Sequence, residues 1–343
     1  MFGSSKMSTR RALYAALGVG AVAGAAGFVL SRRNRQAVTL STDLAPNALL
    51  AEPTAPLTVS EVVTDDGTVL RVHTYGPEDG DPIVLVHGWT CSIEYWYPQI
   101  NALADNHRVV VYDLRGHGRS TVGATRFHAD ALGSDLDAVL QASLRDGEKA
   151  VIVGHSMGGI SIMSWAQVFP DHVQRFAKAA MLVSTGSDRL IAETTAVPLP
   201  NGFPRVPVPV GRALIGAPVP FHDTPLTTSV IKYLNFSRNI GAEELAFTAK
   251  IVRDCNPRTR GGWGATLAGV DVKEGLENLA VPTTVLVGTG DRLTPQGHSR
   301  RLARTLDEAG NLQRLIVLPS VGHMSNIEDP DSVNVEIGRL ASL

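Results

Sequence analysis

Hydrophobic positions change character along the chain. Ala12 to Leu30 is a run of 19 residues without a charged side chain, with Lys6, Arg10 and Arg11 before it and Arg32, Arg33 and Arg35 after it. As a helix it would be roughly 28 Å long, close to the hydrocarbon thickness of a bilayer, with cations at both headgroup levels. The expectation is an N-terminal membrane helix within residues 1–36. A cleaved export signal competes with it, because Arg10-Arg11 precedes the run and Ala21-Val22-Ala23 or Ala23-Gly24-Ala25 offers small-residue cleavage sites. The run continues past both sites to a basic cluster, a stop-transfer pattern that favours the anchor. A third reading leaves the Gly/Ala-rich run too weakly apolar to insert. The location expected is therefore membrane-anchored or, if the segment is removed, the cell envelope or outside the cell. The near-even cation balance leaves the orientation open.

Residues 37–57 contain three prolines and no period, which reads as a linker. The pattern then becomes regular. Val59–Thr64 and Val69–Tyr75 flank Asp65-Asp66-Gly67 and read as a β-hairpin. Ile83–Val86, Val109–Tyr112, Ala150–Val153, Ala179–Ser184, Thr283–Val287 and Leu315–Leu318 are uninterrupted apolar runs. Helical stretches separate them, near Trp96–Ala104, Ala129–Leu144, Gly158–Phe169, Gln296–Leu306 and Asp331–Leu340. Buried strands alternating with helices predict an α/β fold, a mostly parallel eight-stranded sheet covered on both faces. Residues 58–185 and 265–343 form the two parts of this core. Between them the alternation stops. Residues 198 to 225 hold eight of the chain's 20 prolines, a density that central strands do not tolerate. Helices are expected near Thr227–Asn235 and Ala242–Val252, and residues 186–264 read as an inserted lid.

Composition narrows the function. With 44% hydrophobic and 19% charged residues, the chain of 343 residues can bury a large core. A net charge of −2 gives no basic face for a nucleic-acid partner. Two cysteines, Cys91 and Cys255, exclude a disulfide scaffold and a Cys-rich zinc module, and both are expected to be unpaired.

The strongest chemical signal is Val151-Ile152-Val153-Gly154-His155-Ser156-Met157-Gly158-Gly159. A strand runs into Gly-x-Ser-x-Gly and a helix follows. That turn needs glycines for close strand–helix approach and holds Ser156 strained, with its hydroxyl exposed as a nucleophile. The amide of Met157, at the helix start, can donate to an oxyanion. A serine hydroxyl is inert without a base. His323, in Gly322-His323-Met324 past the last strand, is the candidate base. Asp291, in Gly290-Asp291-Arg292 after the preceding strand, is the candidate acid that orients it, with Asp188 as a fallback. The second oxyanion donor is expected in His87-Gly88-Trp89, at the amide of Trp89.

These segments follow the chain order nucleophile, acid, base. On them the chain resembles the α/β-hydrolase superfamily. It is most similar to the capped serine esterase and lipase branch, with monoacylglycerol-lipase-like and carboxylesterase-like enzymes. The likeness covers roughly residues 58 to 343 apart from the lid. It implies hydrolysis of a small-molecule ester through an acyl-enzyme, with no metal or organic cofactor. Asp113-Leu114-Arg115-Gly116-His117-Gly118-Arg119-Ser120 also looks like a structural loop of that family, with an Asp113–Arg115 contact bracing the turn. Serine at position 156 argues against relatives that use aspartate there. Cofactor-free perhydrolase or haloperoxidase-like chemistry and acyl transfer stay open, as does, more remotely, a non-catalytic binding protein. Apolar lid positions (Val206, Val208, Val210, Leu214, Ile215, Val219 and Phe221) and the membrane helix point to a hydrophobic or lipid ester.

Overall fold

The computed structural model describes residues 47–196, 208–237 and 240–343. The expected membrane helix falls outside them; among the described residues no helix is long and apolar enough to cross a membrane. The strands are β1 (Leu57–Val63), β2 (Val69–Tyr75), β3 (Asp81–Val86), β4 (His107–Tyr112), β5 (Ala150–His155), β6 (Ala177–Val183), β7 (Thr283–Gly288) and β8 (Leu312–Leu318). They form one sheet in the order β1-β2-β4-β3-β5-β6-β7-β8. β2 pairs antiparallel with β1 and β4, and every other pair is parallel. The hairpin therefore lies at one edge, as its alternating pattern predicts.

The central strands are continuous apolar runs because both of their faces are covered. Val84, Val86, Val110, Tyr112, Ile152 and Leu182 pack into one core. Ile83, Leu85, Val109, Val111, Val151 and Val153 pack into the other. Successive side chains thus alternate between two layers of helices. The helices are α1 (Tyr97–Leu103), α2 (Ala129–Ser143), α3 (Met157–Val168), α4 (Pro170–Phe176), α5 (Leu190–Glu193), α6 (Val208–Ile215) and α7 (Pro225–Asn235), followed by α8 (Ala242–Asp254), α9 (Pro257–Leu267), α10 (Lys273–Glu277), α11 (Gln296–Glu308), α12 (Ser325–Glu328) and α13 (Pro330–Ala341). The end of the expected linker is held to this body. Asn47 bonds Glu243 and Glu244, and the Asn101 amide reaches the carbonyls of Leu49 and Ala51.

Helices α5 to α10 occupy the segment between β6 and β7, and α9 runs through the boundary expected at residue 264. A Cβ at Gly261 or Gly264 would strike the backbone of Gly216 or Ile215, so these glycines let the end of α6 lie directly on α9. The Trp263 indole donates to the Arg115 carbonyl at 3.1 Å, which seats α9 on the loop after β4.

Candidate active site

The sharp turn between β5 and α3 puts Ser156 in a left-handed conformation, φ 52° and ψ −114°, that an L-residue adopts only when its surroundings enforce it. The enforcement is steric. A Cβ at Gly154 would collide with Gly158, and one at Gly158 with the Val86 carbonyl. The Ser156 amide donates to the Val183 carbonyl at 2.9 Å, and Thr185 Oγ1 donates to the Ser156 carbonyl at 2.7 Å. The serine is half-buried and its hydroxyl has no hydrogen-bond partner among the described residues, His323 included.

His323 and Asp291 lie on the loops that follow β8 and β7. His323 Nδ1 is 2.9 Å from Asp291 Oδ2 and 3.1 Å from Oδ1. Both carboxylate oxygens accept, so Nδ1 carries the proton and Nε2 is left free as a base. Asp291 also accepts from the amides of Leu293 and Thr294, each at 2.9 Å, and from Thr294 Oγ1 at 2.7 Å. Those bonds leave the carboxylate one orientation. The amides of His323 and Met324 both donate to the Asn235 carbonyl at the end of α7. The Gly322 amide donates to Glu328, which also accepts from Ser237. Arg292 in turn grips the carbonyls of Tyr233 and Phe236.

His155 links the serine turn to the histidine loop. Its Nε2 is 2.9 Å from the His323 carbonyl, an acceptor only, so Nε2 donates. Its ring lies between those of Tyr95 and His323, with centroids 4.8 Å away in each case. Burial first, then the charge of a protonated His323, hold His155 well below the ordinary histidine range. It therefore stays neutral.

The loop after β3 covers the serine from the other side; a Cβ at Gly88 would lie 3.2 Å from that of Ser156. Neither the Trp89 nor the Met157 amide donates to another protein group among the described residues. Two unspent N–H groups beside a serine can receive a negative oxygen. Buried histidines brace this loop. His87 Nδ1 donates to the Gly88 carbonyl at 2.8 Å and its Nε2 accepts from Leu114, while His117 Nε2 accepts from Thr90. Burial pushes His87 down to about 4 and His117 to about 3, so both are neutral spacers.

Two expectations need correction. Asp113 does not contact Arg115; it accepts from the amides of Ile93 and Arg119 and lies 3.7 Å from Arg71. Arg115 pairs instead with Asp135 at 2.5 Å and Asp66 at 2.8 Å. The two side chains leave the same turn in different directions, which residue spacing does not reveal. Asp188, the fallback acid, joins a group with Arg189, Lys273 and Arg301. Thr294 and His155 were not singled out as supports of the site. His155 sits inside the serine motif; for Thr294 the only local hint is a threonine three residues after an aspartate, a common capping spacing. Cys91 and Cys255 are buried free thiols.

Residues 83–336 match the model of the alpha/beta hydrolase family. The chain is 30% identical over 278 residues to the dihydrolipoyllysine-residue acetyltransferase component of the acetoin cleaving system of Pseudomonas putida, covering 79% of this chain but 66% of that longer relative. It is 28% identical over 284 residues to a non-heme chloroperoxidase of Burkholderia pyrrocinia, covering 80% of this chain and 97% of the relative. An esterase from Exiguobacterium antarcticum shares the fold at a TM-score of 0.68 and 20% identity, covering 83% of this chain and 100% of that one. The eight-stranded sheet, the strained serine at its centre and the family match agree: the chain belongs to the alpha/beta hydrolase family.

Proposed function

We propose that the protein is a serine hydrolase that cleaves carboxylic esters through an acyl-enzyme. The observation that carries this reading is an imidazole aligned by a buried carboxylate, on a loop tied to a strained serine with two unspent amides beside it. Ser156 Oγ attacks the ester carbonyl and passes its proton to His323 Nε2. Asp291 stabilises the imidazolium. The amides of Trp89 and Met157 hold the oxyanion. The alcohol leaves with the proton from His323. Water, deprotonated by His323, then attacks the acyl carbon and frees Ser156. The Ser156–His323 hydrogen bond closes when substrate is bound, as such bonds commonly tighten in the loaded state.

A serine-reactive fluorophosphonate tests this. Wild type should be labelled and Ser156→Ala should not; labelling that persists in the variant removes the assignment. The described apolar positions Val210, Ile215, Val219 and Phe221, on and after α6, support a substrate with an apolar chain. A rate that rises with acyl length across p-nitrophenyl esters is the expected result, and a preference confined to acetate counts against it. A second reading has the chloroperoxidase relative behind it: hydrogen peroxide in place of water would resolve the same acyl-enzyme to a peracid. Peracid formation outpacing ester hydrolysis would favour that reading. The run Ala12–Leu30 would hold the enzyme to a membrane; extraction of the full chain by alkaline carbonate would reject this.

A further inference from the structure

Arg260 is a charge without a counterion among the described residues. It lies on the first turn of α9, only 4% exposed, and its Nη1 and Nη2 are buried with no hydrogen-bond partner. No carboxylate pairs with it among the described residues. The ring of Phe221 lies under the guanidinium, 3.9 Å from its carbon. The other deeply buried arginines are paired, Arg108 with Glu148 and Arg115 with Asp66 and Asp135. Burying a guanidinium removes its hydration, and only an anion or a full set of acceptors restores what is lost. Cys255 is the charge-capable neighbour, and burial pushes its thiol up to about 11, so at neutral pH it supplies no negative charge.

The location ties this cation to the site. The Arg260 carbonyl accepts from the Trp89 indole at 3.0 Å, and a Cβ at Gly264, one turn further, would touch the edge of the same indole at 3.0 Å. Trp89 carries one of the two unspent amides. Arg260 is therefore joined through its backbone to the residue that carries that amide. Phe221 is 36% exposed, so the ring that covers the guanidinium reaches the surface while the guanidinium beneath it is buried. A planar fork of free N–H donors, backed by an aromatic face, matches a carboxylate in two-point contact.

We propose that Arg260 receives a carboxylate carried by the substrate, so that the preferred ester is a half-ester whose acyl chain is apolar along its length and ends in a carboxylate. This rests on the serine-hydrolase reading above and refines it from an apolar ester to an apolar ester with a distal anion.

Monoethyl adipate and ethyl hexanoate are a matched pair, alike except for the terminal carboxylate. Wild type is expected to prefer the half-ester by about tenfold or more in kcat/KM, the scale of one charge-assisted two-point contact. Arg260→Gln should bring that ratio close to one. A variant that slows both esters equally would make Arg260 a packing residue and overturn the proposal, as would a wild type that prefers ethyl hexanoate. A binding measurement separates this from failure of the hydrolase reading. Calorimetry on full-length Ser156→Ala should show adipamate, the half-amide, binding more tightly than hexanamide, and Arg260→Gln in that background should abolish the difference. If neither ester is turned over but adipamate still binds through Arg260, the hydrolase reading fails and the carboxylate site stands. If hexanamide binds as tightly as adipamate, the carboxylate site fails. Inorganic phosphate binding as tightly as adipamate would mark a general ion site and overturn the substrate assignment.

Discussion

Two buried polar clusters lie at the same carboxyl edge of the sheet, and they differ in what is left unpaired. After β4, Asp113, Arg115, Asp135, Asp66 and Arg71 meet one another or backbone amides, and each charge has a partner. After β5, β7 and β8, Asp291 and His323 are equally well held, but among the described residues the Ser156 hydroxyl and the amides of Trp89 and Met157 have no partner. A saturated network can only hold shape. One with vacant donors, a free hydroxyl and an aligned imidazole can accept a reacting group. The difference should appear as two separable kinds of damage.

The largest effect is expected in the second cluster. Asp291→Asn keeps the size of the side chain but disturbs the tautomer of His323, and should lower kcat on a p-nitrophenyl ester by about 10³- to 10⁴-fold with the thermal midpoint little changed. In the first cluster Asp135→Asn leaves the buried Arg115 with Asp66 as its remaining carboxylate. It should cost roughly 3–5 kcal/mol of stability by urea titration, while activity per folded molecule is kept. If Asp135→Asn abolished turnover in a fully folded protein, or Asp291→Asn merely unfolded it, the division between the clusters would be wrong.

The two clusters were also unequally legible in the sequence. Ser156, Met157, Trp89, Asp291 and His323 stand at strand ends whose apolar runs are unmistakable, so chain order alone suggests that they meet. The hairpin and the six further strands were readable for the same reason: continuous or alternating apolar patterns are local signals. Asp113 and Arg115 are two residues apart, and their neighbourhood suggested a mutual contact. Their true partners, Arg71, Asp66 and Asp135, come from other elements that only the folded sheet brings near. Helix α9 was hidden because Arg258-Thr259-Arg260-Gly261-Gly262 has no apolar period. Its glycines serve the close approach of α6, which is a tertiary matter. Thr294 and His155 escaped notice because their roles depend on what they face.

His155 offers a sharper comparison, since it belongs to the second cluster yet takes no step in the proposed mechanism. His155→Leu removes the bond to the His323 carbonyl while keeping an apolar side chain. Losing this tie should lower kcat by about 10- to 100-fold with KM nearly constant, the scale of a misplacement near 1 Å. His155→Gln, whose amide can donate to the same carbonyl, should recover part of the loss. A KM rise with unchanged kcat would instead make His155 part of the substrate pocket.

The smallest effect tests whether the brace on the oxyanion loop is structural, as the saturated cluster is. Burial first, then neighbouring His87, hold His117 down to about 3, against an ordinary value near 6.5. The unfolded chain therefore takes up a proton near pH 6.5 that the folded chain resists until near pH 3. The stability contributed by this neutral ring is complete above pH 6.5 and drains away as pH falls toward 3. Between pH 7 and pH 5 the wild type should lose about 1–2 kcal/mol through this group. His117→Gln can still accept from the Thr90 amide but cannot be protonated, so its urea midpoint should fall less over the same interval. Parallel falls in the two proteins would mean that His117 protonates as readily folded as unfolded. The loop bearing Trp89 would then be open to water, and its amide would be hydrated rather than waiting for an oxyanion.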